Sequence, residues 1–162
     1  MPNWCANTIE LHASKEKLDE FEKFLNDNNG KNWFDFFVEP VSEDNEEWYQ
    51  TNLDKYGCKW NCDAQDWTRN ESSISFWFDS PWAPPTNLYE RITEDGHFQV
   101  DAQYHEEGMG FVGRFVEGED EYYDYDFENA DSLDDIPEEL LENWSIRERL
   151  EEWNEENEED NQ

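Results

Sequence analysis

Residues 98–116, FQVDAQYHEEGMGFVGRFV, contain the clearest strand pattern of the chain. Apolar residues stand at every second position from Phe98 to Tyr104, which is the period of a strand with one buried face. A short segment with two glycines then leads into a second apolar run, Phe111–Val116. The stretch therefore predicts two antiparallel strands joined as a hairpin.

The same patterns predict further elements on both sides of this hairpin. Ile9, Leu11 and Ala13 alternate with polar residues as in a strand, and Ser14 then suits the N-cap of a helix that ends near Gly30. Further strands are predicted over residues 33–38, 60–64, 74–78 and 122–127, and further helices over 44–56 and 84–96. This order predicts an α+β fold, with helices on one face of an antiparallel sheet.

The acidic charge is concentrated at the C-terminus. Residues 1–117 have a net charge of −15, whereas residues 118–162, with 20 acidic and two basic side chains, have a net charge of −18. Pro137 and the capping-box pattern Ser145–Glu148 each predict the start of a helix here. We therefore predict a domain over 1–128 and an acidic helical extension over 129–162, frayed after about residue 155.

The charge of the whole chain restricts its partners. With 44 acidic and 11 basic side chains, the 162 residues have a formal net charge of −33. A protein that binds duplex DNA or an anionic membrane needs a basic face, so we expect neither partner. No apolar run approaches the roughly 18 residues of a membrane span, and three cysteines do not suggest a disulfide framework. We expect a soluble, cytoplasmic protein.

Four segments together resemble one known family. They are MPNWCAN at residues 1–7, GCKW at 57–60, FDSPWAPP at 78–85 and EEGMGF at 106–111. These segments resemble the YubB ferredoxin-like family, whose members are encoded by bacteriophages and conjugative plasmids. The resemblance covers about residues 1–117 and implies a ferredoxin-like core and a mobile-element origin, but no activity. The long acidic C-terminus departs from the family pattern.

Motifs for catalysis or cofactor binding are weak. Gly108, Gly110 and Gly113 match G-x-G-x-x-G, but the residues that follow continue a strand, where a dinucleotide site needs a helix. Cys58 and Cys62 lack the spacing of a zinc site, so small buried side chains are the simpler interpretation. Carboxylates are too numerous for their proximity to indicate catalysis. We expect no enzyme activity, no cofactor and no metal.

The charge is the strongest functional signal. Duplex DNA has about one negative charge per 1.7 Å of axis, so 33 charges correspond to about 55–60 Å of duplex. We therefore predict a DNA-mimic inhibitor of a host nucleic-acid-binding defence protein: a restriction enzyme, a nuclease or a CRISPR effector. One alternative is an acidic docking module without mimicry. Another, suggested by Trp77 and Trp82, is a ferredoxin-like domain that stacks single-stranded bases.

The predicted partner-binding residues are all acidic side chains of the last third of the chain. They are Glu119, Asp120, Glu121, Asp124, Asp126, Glu138, Glu139, Glu142, Glu148, Glu151, Glu152 and Glu155.

Overall fold

The computed structural model describes residues 2–42 and 44–160. In this part of the chain, six strands form one antiparallel sheet in the order β2-β3-β1-β4-β5-β6. The strands are β1 (Trp4–Ala13), β2 (Gln65–Arg69), β3 (Ser73–Pro81), β4 (Phe98–Glu106), β5 (Phe111–Val116) and β6 (Glu119–Asp124). The helices are α1 (Lys15–Asn28), α2 (Trp48–Tyr56), α3 (Thr86–Asp95), α4 (Glu138–Asn143) and α5 (Ile146–Asp160). The predicted α+β fold with an antiparallel sheet is confirmed.

One face of the sheet is covered by α1, α2 and α3, and the main core lies between them. The strands contribute alternate residues such as Ile9, Phe76 and Val100, and the helices contribute residues such as Phe21 and Leu88. Because side chains alternate between the two faces of a strand, the alternation predicted for β1, β3 and β4 determines which of their side chains are buried in this core. Each large side chain that is fully buried stabilises the fold by roughly 1.5–3 kcal/mol before entropy is counted.

The opposite face of the sheet is covered at one side only. Val112 of β5 points away from the main core and packs in a second cluster with residues of the C-terminal segment. The other buried members of this cluster are Tyr125, Leu133, Ile136, Leu140, Leu141 and Ile146. This second cluster therefore contains residues from both sides of the domain boundary predicted at residue 128. Within the residues that the structure describes, nothing covers the sheet face over β2, β3 and β1, where Thr8, Thr68 and Trp77 are exposed.

The structure corrects three predicted strands. Residues 33–38 are not a strand, because Trp33–Phe36 form a 3-10 turn that places Trp33 and Phe34 in the main core. A continuous apolar run does not distinguish these two structures. Residues 60–64 are irregular, and their backbone bonds to the loop after α1: the N–H of Ala64 donates to the Gly30 carbonyl at 2.7 Å.

The third correction concerns the bounds of the last strand. The bounds of one helix also differ from the predicted ones. The strand predicted over 122–127 is β6, which begins at Glu119 and ends at Asp124. The helix predicted over 44–56 begins at Trp48 and ends at Tyr56, with Gly57 in the left-handed conformation as its C-cap. The last helix, α5, begins at Ile146 and ends at Asp160, and the fraying predicted after about residue 155 stays a prediction.

Candidate partner-binding surface

Helix α5 places four of the predicted glutamates on its outward side. Ile146, Leu150 and Trp153 pack toward the second cluster and the nearby Phe127 ring. Because successive residues of a helix are about 100° apart, Glu148, Glu151 and Glu155 lie on the opposite side, where each is exposed. Glu152 lies on the same outward side. The structure thus brings four of the predicted residues into one row.

The charge density of α5 is close to that of a DNA strand. Its 15 residues include eight acidic and two basic side chains, a net charge of −6. At 1.5 Å per residue, the helix is about 22 Å long, which gives about one net charge per 3.7 Å. A single strand of DNA has about one charge per 3.4 Å of axis.

Arginine side chains neutralise part of the predicted set. Arg147 forms a two-point ion pair with Glu138, with N–O distances of 3.0 and 3.2 Å, and this pairing lowers the pKa of the Glu138 carboxyl. Arg149 joins Glu152, at 2.6 Å, to Glu107 of the β4–β5 turn, at 2.7 Å. Such exposed pairs contribute little to stability because water screens them, but they reduce the charge available to a partner.

A third arginine joins β6 to α4. Arg114 of β5 bonds Glu121 of β6 and approaches Glu139 of α4 at 3.3 Å. Glu142, the remaining predicted residue of α4, is exposed. The side-chain carboxylates of Glu148, Glu151 and Glu155 form no hydrogen bond or ion pair with any residue in the described ranges. They are therefore the part of the predicted set that is most available to a partner.

The acids of β6 serve the fold as well as the surface. Asp120 accepts a hydrogen bond from the Tyr104 hydroxyl at 2.6 Å, and partial burial raises the pKa of its carboxyl. Asp124 accepts one from the Tyr122 hydroxyl, and Asp126, which lies just after β6, accepts one from the backbone N–H of Glu128. Glu119 is exposed on this edge strand of the sheet. Charges on an edge strand also prevent pairing with other sheets, so these acids have a structural explanation.

The open sheet face is a second acidic surface, which the sequence analysis missed. Glu10 of β1 stands directly opposite Asp101 of β4, and both border a cleft of about 450 Å³ with Asp66 and Trp77. Glu10 accepts hydrogen bonds from the hydroxyls of Ser73 and Ser75. The polar positions of the alternating strands could have revealed this surface, since they all point to the face opposite the core.

A small group on this face has the arrangement of possible metal ligands. Within the described ranges, Glu10, His12 and Asp101 offer ligand atoms that lie within 4.8 Å of one another. Burial, followed by the negative charge of Glu10, raises the pKa of the Asp101 carboxyl. The sequence predicts no metal, and the geometry alone gives no preference for one.

The environment of Trp77 opposes base stacking. Trp77 is 43% exposed on the open face, and its indole N–H donates to the Asp66 carboxylate at 2.8 Å. Phosphates that followed bases across this sheet would meet Glu10, Asp66 and Asp101. Stacking proteins normally place such rings in a positive groove, so these charges disfavour the single-strand alternative.

The glycines of G-x-G-x-x-G lie in the β4–β5 hairpin, as the strand pattern predicts. Gly110 has a φ of 76°, and a Cβ there would lie 2.4 Å from the Tyr125 carbonyl oxygen. Gly113 lies within β5, where a Cβ would meet the Tyr104 ring. Turn geometry and close packing explain these two glycines. Cys5, Cys58 and Cys62 are buried free thiols, as expected for small core side chains.

Comparison with known proteins agrees with this architecture. Residues 55–161 match the family described as the ferredoxin-like domain in Api92-like protein. The chain belongs to this family. The match includes the acidic helices, whereas the resemblance in the sequence motifs ends near residue 117. No curated protein matches the chain.

One solved structure is similar to part of the domain. It is the crystal structure of a protein api92 from Yersinia pseudotuberculosis, with 22% sequence identity and a TM-score of 0.38. The alignment covers 55% of this chain and 32% of that one, so the chain spans about a third of the length of that protein. Across the described residues, no helix is long and apolar enough to span a bilayer.

Proposed function

We propose that the domain is a DNA mimic that inhibits a nucleic-acid-binding protein of host defence, such as a restriction enzyme, a nuclease or a CRISPR effector. The row of Glu148, Glu151 and Glu155 on the outward side of α5 carries this proposal. These carboxylates are exposed, and no described residue pairs with them. Their helix has nearly the net charge per length of a DNA strand.

The chemistry of the partner follows from this row. A surface that binds DNA phosphates presents lysine and arginine, and it would be attracted to α5 for the same electrostatic reason. The partner is therefore a protein with a basic nucleic-acid-binding surface, and it would be met in the cytoplasm of a bacterial host. In this proposal the domain acts by binding and catalyses no reaction. The YubB-like motifs support an origin in a phage or plasmid.

The alternative is an acidic docking module whose partner has no nucleic-acid site. The ion pairs of Glu121, Glu138, Glu139 and Glu152 are compatible with it, since paired carboxylates need no basic partner. The two functions differ in one respect: only a mimic must exclude nucleic acid from the partner.

Capture from the host followed by competition distinguishes them. The purified domain is immobilised, host proteins are captured at low salt, and the captured protein is challenged with a 20-base-pair duplex. Mimicry predicts that the duplex displaces the domain and that binding weakens steeply as salt is raised. A captured protein that binds the duplex and the domain simultaneously would reject mimicry and support docking. Turnover by the domain alone would reject both.

A further inference from the structure

A pocket lined by tryptophan rings and carboxylates lies at one end of the sheet. It is formed by the start of β1, the end of β3 and the irregular segment before β2, and its volume is about 230 Å³. Trp4, Trp60 and Trp77 supply its aromatic walls, and Asp63 and Asp79 supply its charges. This pocket is separate from the acidic row of α5.

The rings are held by specific contacts. Trp4 and Trp60 meet edge to face, with ring centroids 6.0 Å apart. Trp77 is oriented by the hydrogen bond from its indole N–H to Asp66. Trp4 and Trp77 nevertheless remain 47% and 43% exposed, which is unusual for the largest apolar side chain. Exposed aromatic rings at fixed positions are typical of binding sites.

The carboxylates make the pocket attractive to a cation. The Asp79 carboxylate lines the pocket together with these rings, and it forms no hydrogen bond or ion pair with any residue that the structure describes. Partial burial raises the pKa of its carboxyl, because the charged form loses hydration without gaining a partner. Asp63 accepts one hydrogen bond, from the N–H of Asn32 at 3.1 Å. A cation in the pocket would supply the partner that Asp79 lacks.

One of the rings already contacts a cation of this chain. The ammonium group of Lys59 lies 5.2 Å from the centroid of the Trp60 ring and 5.6 Å from that of Tyr49. Both distances are within the range of a cation–π interaction. Lys59 is not among the residues that line the pocket, and within the described residues no side-chain cation lies over the rings of Trp4 or Trp77.

We propose that this pocket binds the guanidinium group of an arginine side chain from the protein partner. A guanidinium is planar, stacks on aromatic faces and forms two parallel hydrogen bonds with one carboxylate. Trp4, Trp60 and Trp77 supply the faces, and Asp79 supplies the carboxylate. The proposal rests on the proposed function, since a partner with a nucleic-acid-binding surface is rich in arginine. It adds a specific anchor to the less specific attraction of α5.

The pocket also gives a role to three of the segments that resemble the known family and that contribute nothing to the acidic row of α5. Trp4, Trp60 and Asp79 come from three of the four segments that carry the family resemblance, at residues 1–7, 57–60 and 78–85. The antiparallel pairing explains why they meet, because Trp4 stands opposite Pro81 and Ala6 stands opposite Asp79. Segments distant in sequence are thus brought to one site.

A titration followed by NMR of the indole N–H groups tests the proposal. The intact domain is titrated with the peptide acetyl-Gly-Arg-Gly-amide and with the same peptide containing citrulline, which has the same shape without the charge. We expect the arginine peptide to shift the indole signals of Trp4, Trp60 and Trp77 saturably, while Trp48 on α2 stays unchanged. The citrulline peptide should produce no saturable shift.

Two charge variants make the test specific. Asp79→Asn should weaken binding of the arginine peptide about tenfold, since a charge-assisted hydrogen bond is lost. Asp95→Asn, an equal change of charge at an exposed position of α3, should change it less than twofold. Equal weakening in both variants, equal binding of citrulline, or the absence of indole shifts would overturn the proposal.

The same titration distinguishes other occupants and separates the two proposals. Tighter binding of tetramethylammonium than of the arginine peptide would indicate a site for a quaternary ammonium ligand and would overturn our assignment. If the captured partner lacks a nucleic-acid site but the arginine peptide binds, mimicry fails and the pocket stands. If the domain competes with the duplex for the captured partner but the arginine peptide does not bind to the domain, the pocket proposal fails and mimicry stands.

Discussion

The core beneath α1–α3 and the cluster beneath α4 and α5 are anchored very differently. Of the described residues, 21 are buried in the first and seven in the second. The first contains many aromatic rings in contact, whereas the second is mainly aliphatic and supports the most acidic part of the chain. The comparison indicates that the sheet is stabilised mainly from one face. The acidic helices are held to the other face by few apolar side chains.

The largest effect is expected in the main core. Trp33 is completely buried, and its ring contacts those of Phe34, Phe37, Phe76 and Phe78 with centroids 4.8–6.0 Å apart. Trp33→Ala should reduce the free energy of unfolding by about 3–5 kcal/mol, since it leaves a large cavity. Urea denaturation measures this. Trp48→Ala, at an exposed ring, is the control and should cost less than about 1 kcal/mol.

A smaller effect is expected from the same type of change in the second cluster. Leu141→Ala should cost about 2–3 kcal/mol, toward the lower end for a buried leucine, because the few neighbours can relax into the space. Leu25→Ala, in the main core, is the matched comparison and should cost more.

Hydrogen exchange shows whether the two regions unfold separately. In the Leu141→Ala variant, the amides of α4 and α5 should lose protection while those of β1 and β3 keep it. Equal loss of protection in all four elements would show that the two clusters form one cooperative unit, contrary to the comparison.

The smallest effect concerns the open sheet face. Burial and Glu10 raise the pKa of Asp101, so the stability linked to this group is fully present below the ordinary aspartate pKa of about 3.9 and is lost as pH rises through the folded-state pKa. At pH 7 the charged carboxylate therefore destabilises the fold. Asp101→Asn should then raise the unfolding free energy by up to about 1 kcal/mol, the size of a cross-strand charge effect.

Thermal or urea denaturation at several pH values measures this effect. The advantage of Asp101→Asn should vanish as pH falls toward 4, because the wild-type carboxyl becomes protonated. A variant that is less stable than the wild type at pH 7 would show that Asp101 makes a stabilising contact that outweighs its repulsion by Glu10.

The parts of the fold that follow local rules could be predicted from the sequence. The hairpin of β4 and β5, the strand β1 and the helices α1 and α3 each have a clear period and clear end signals, such as Asn29 and Gly96, which adopt the left-handed conformation. The strands predicted over residues 33–38 and 60–64 are wrong, because the structure of these segments depends on tertiary contacts. The backbone N–H of Trp33 donates to the Cys62 carbonyl, a pairing between two loops that no local pattern reveals.

The candidate surfaces also differ in whether local sequence patterns could predict them. The periodicity of α5 is local, so the outward row of glutamates could be predicted. The aromatic pocket could not, because Trp4, Trp60 and Asp79 meet only through the pairing of β1 with β3 and the course of the loop before β2. Arginine pairs such as Arg114 with Glu139 likewise depend on the docking of α4 against the sheet.

The most direct test of the α5 row as the binding surface compares two sets of charge reversals against the captured partner. In one variant, Glu148, Glu151 and Glu155 are changed to lysine. In the control, Glu71, Glu90 and Glu94, which are exposed elsewhere, are changed in the same way. Both variants gain six charge units, so the general field changes equally.

The affinity of each variant is measured at one salt concentration. We predict that the α5 variant binds at least a hundredfold more weakly than the wild type, whereas the control loses less than tenfold. Equal losses in the two variants would contradict the assignment of the α5 row as the binding surface and would leave only the overall negative charge of the domain as the cause of binding.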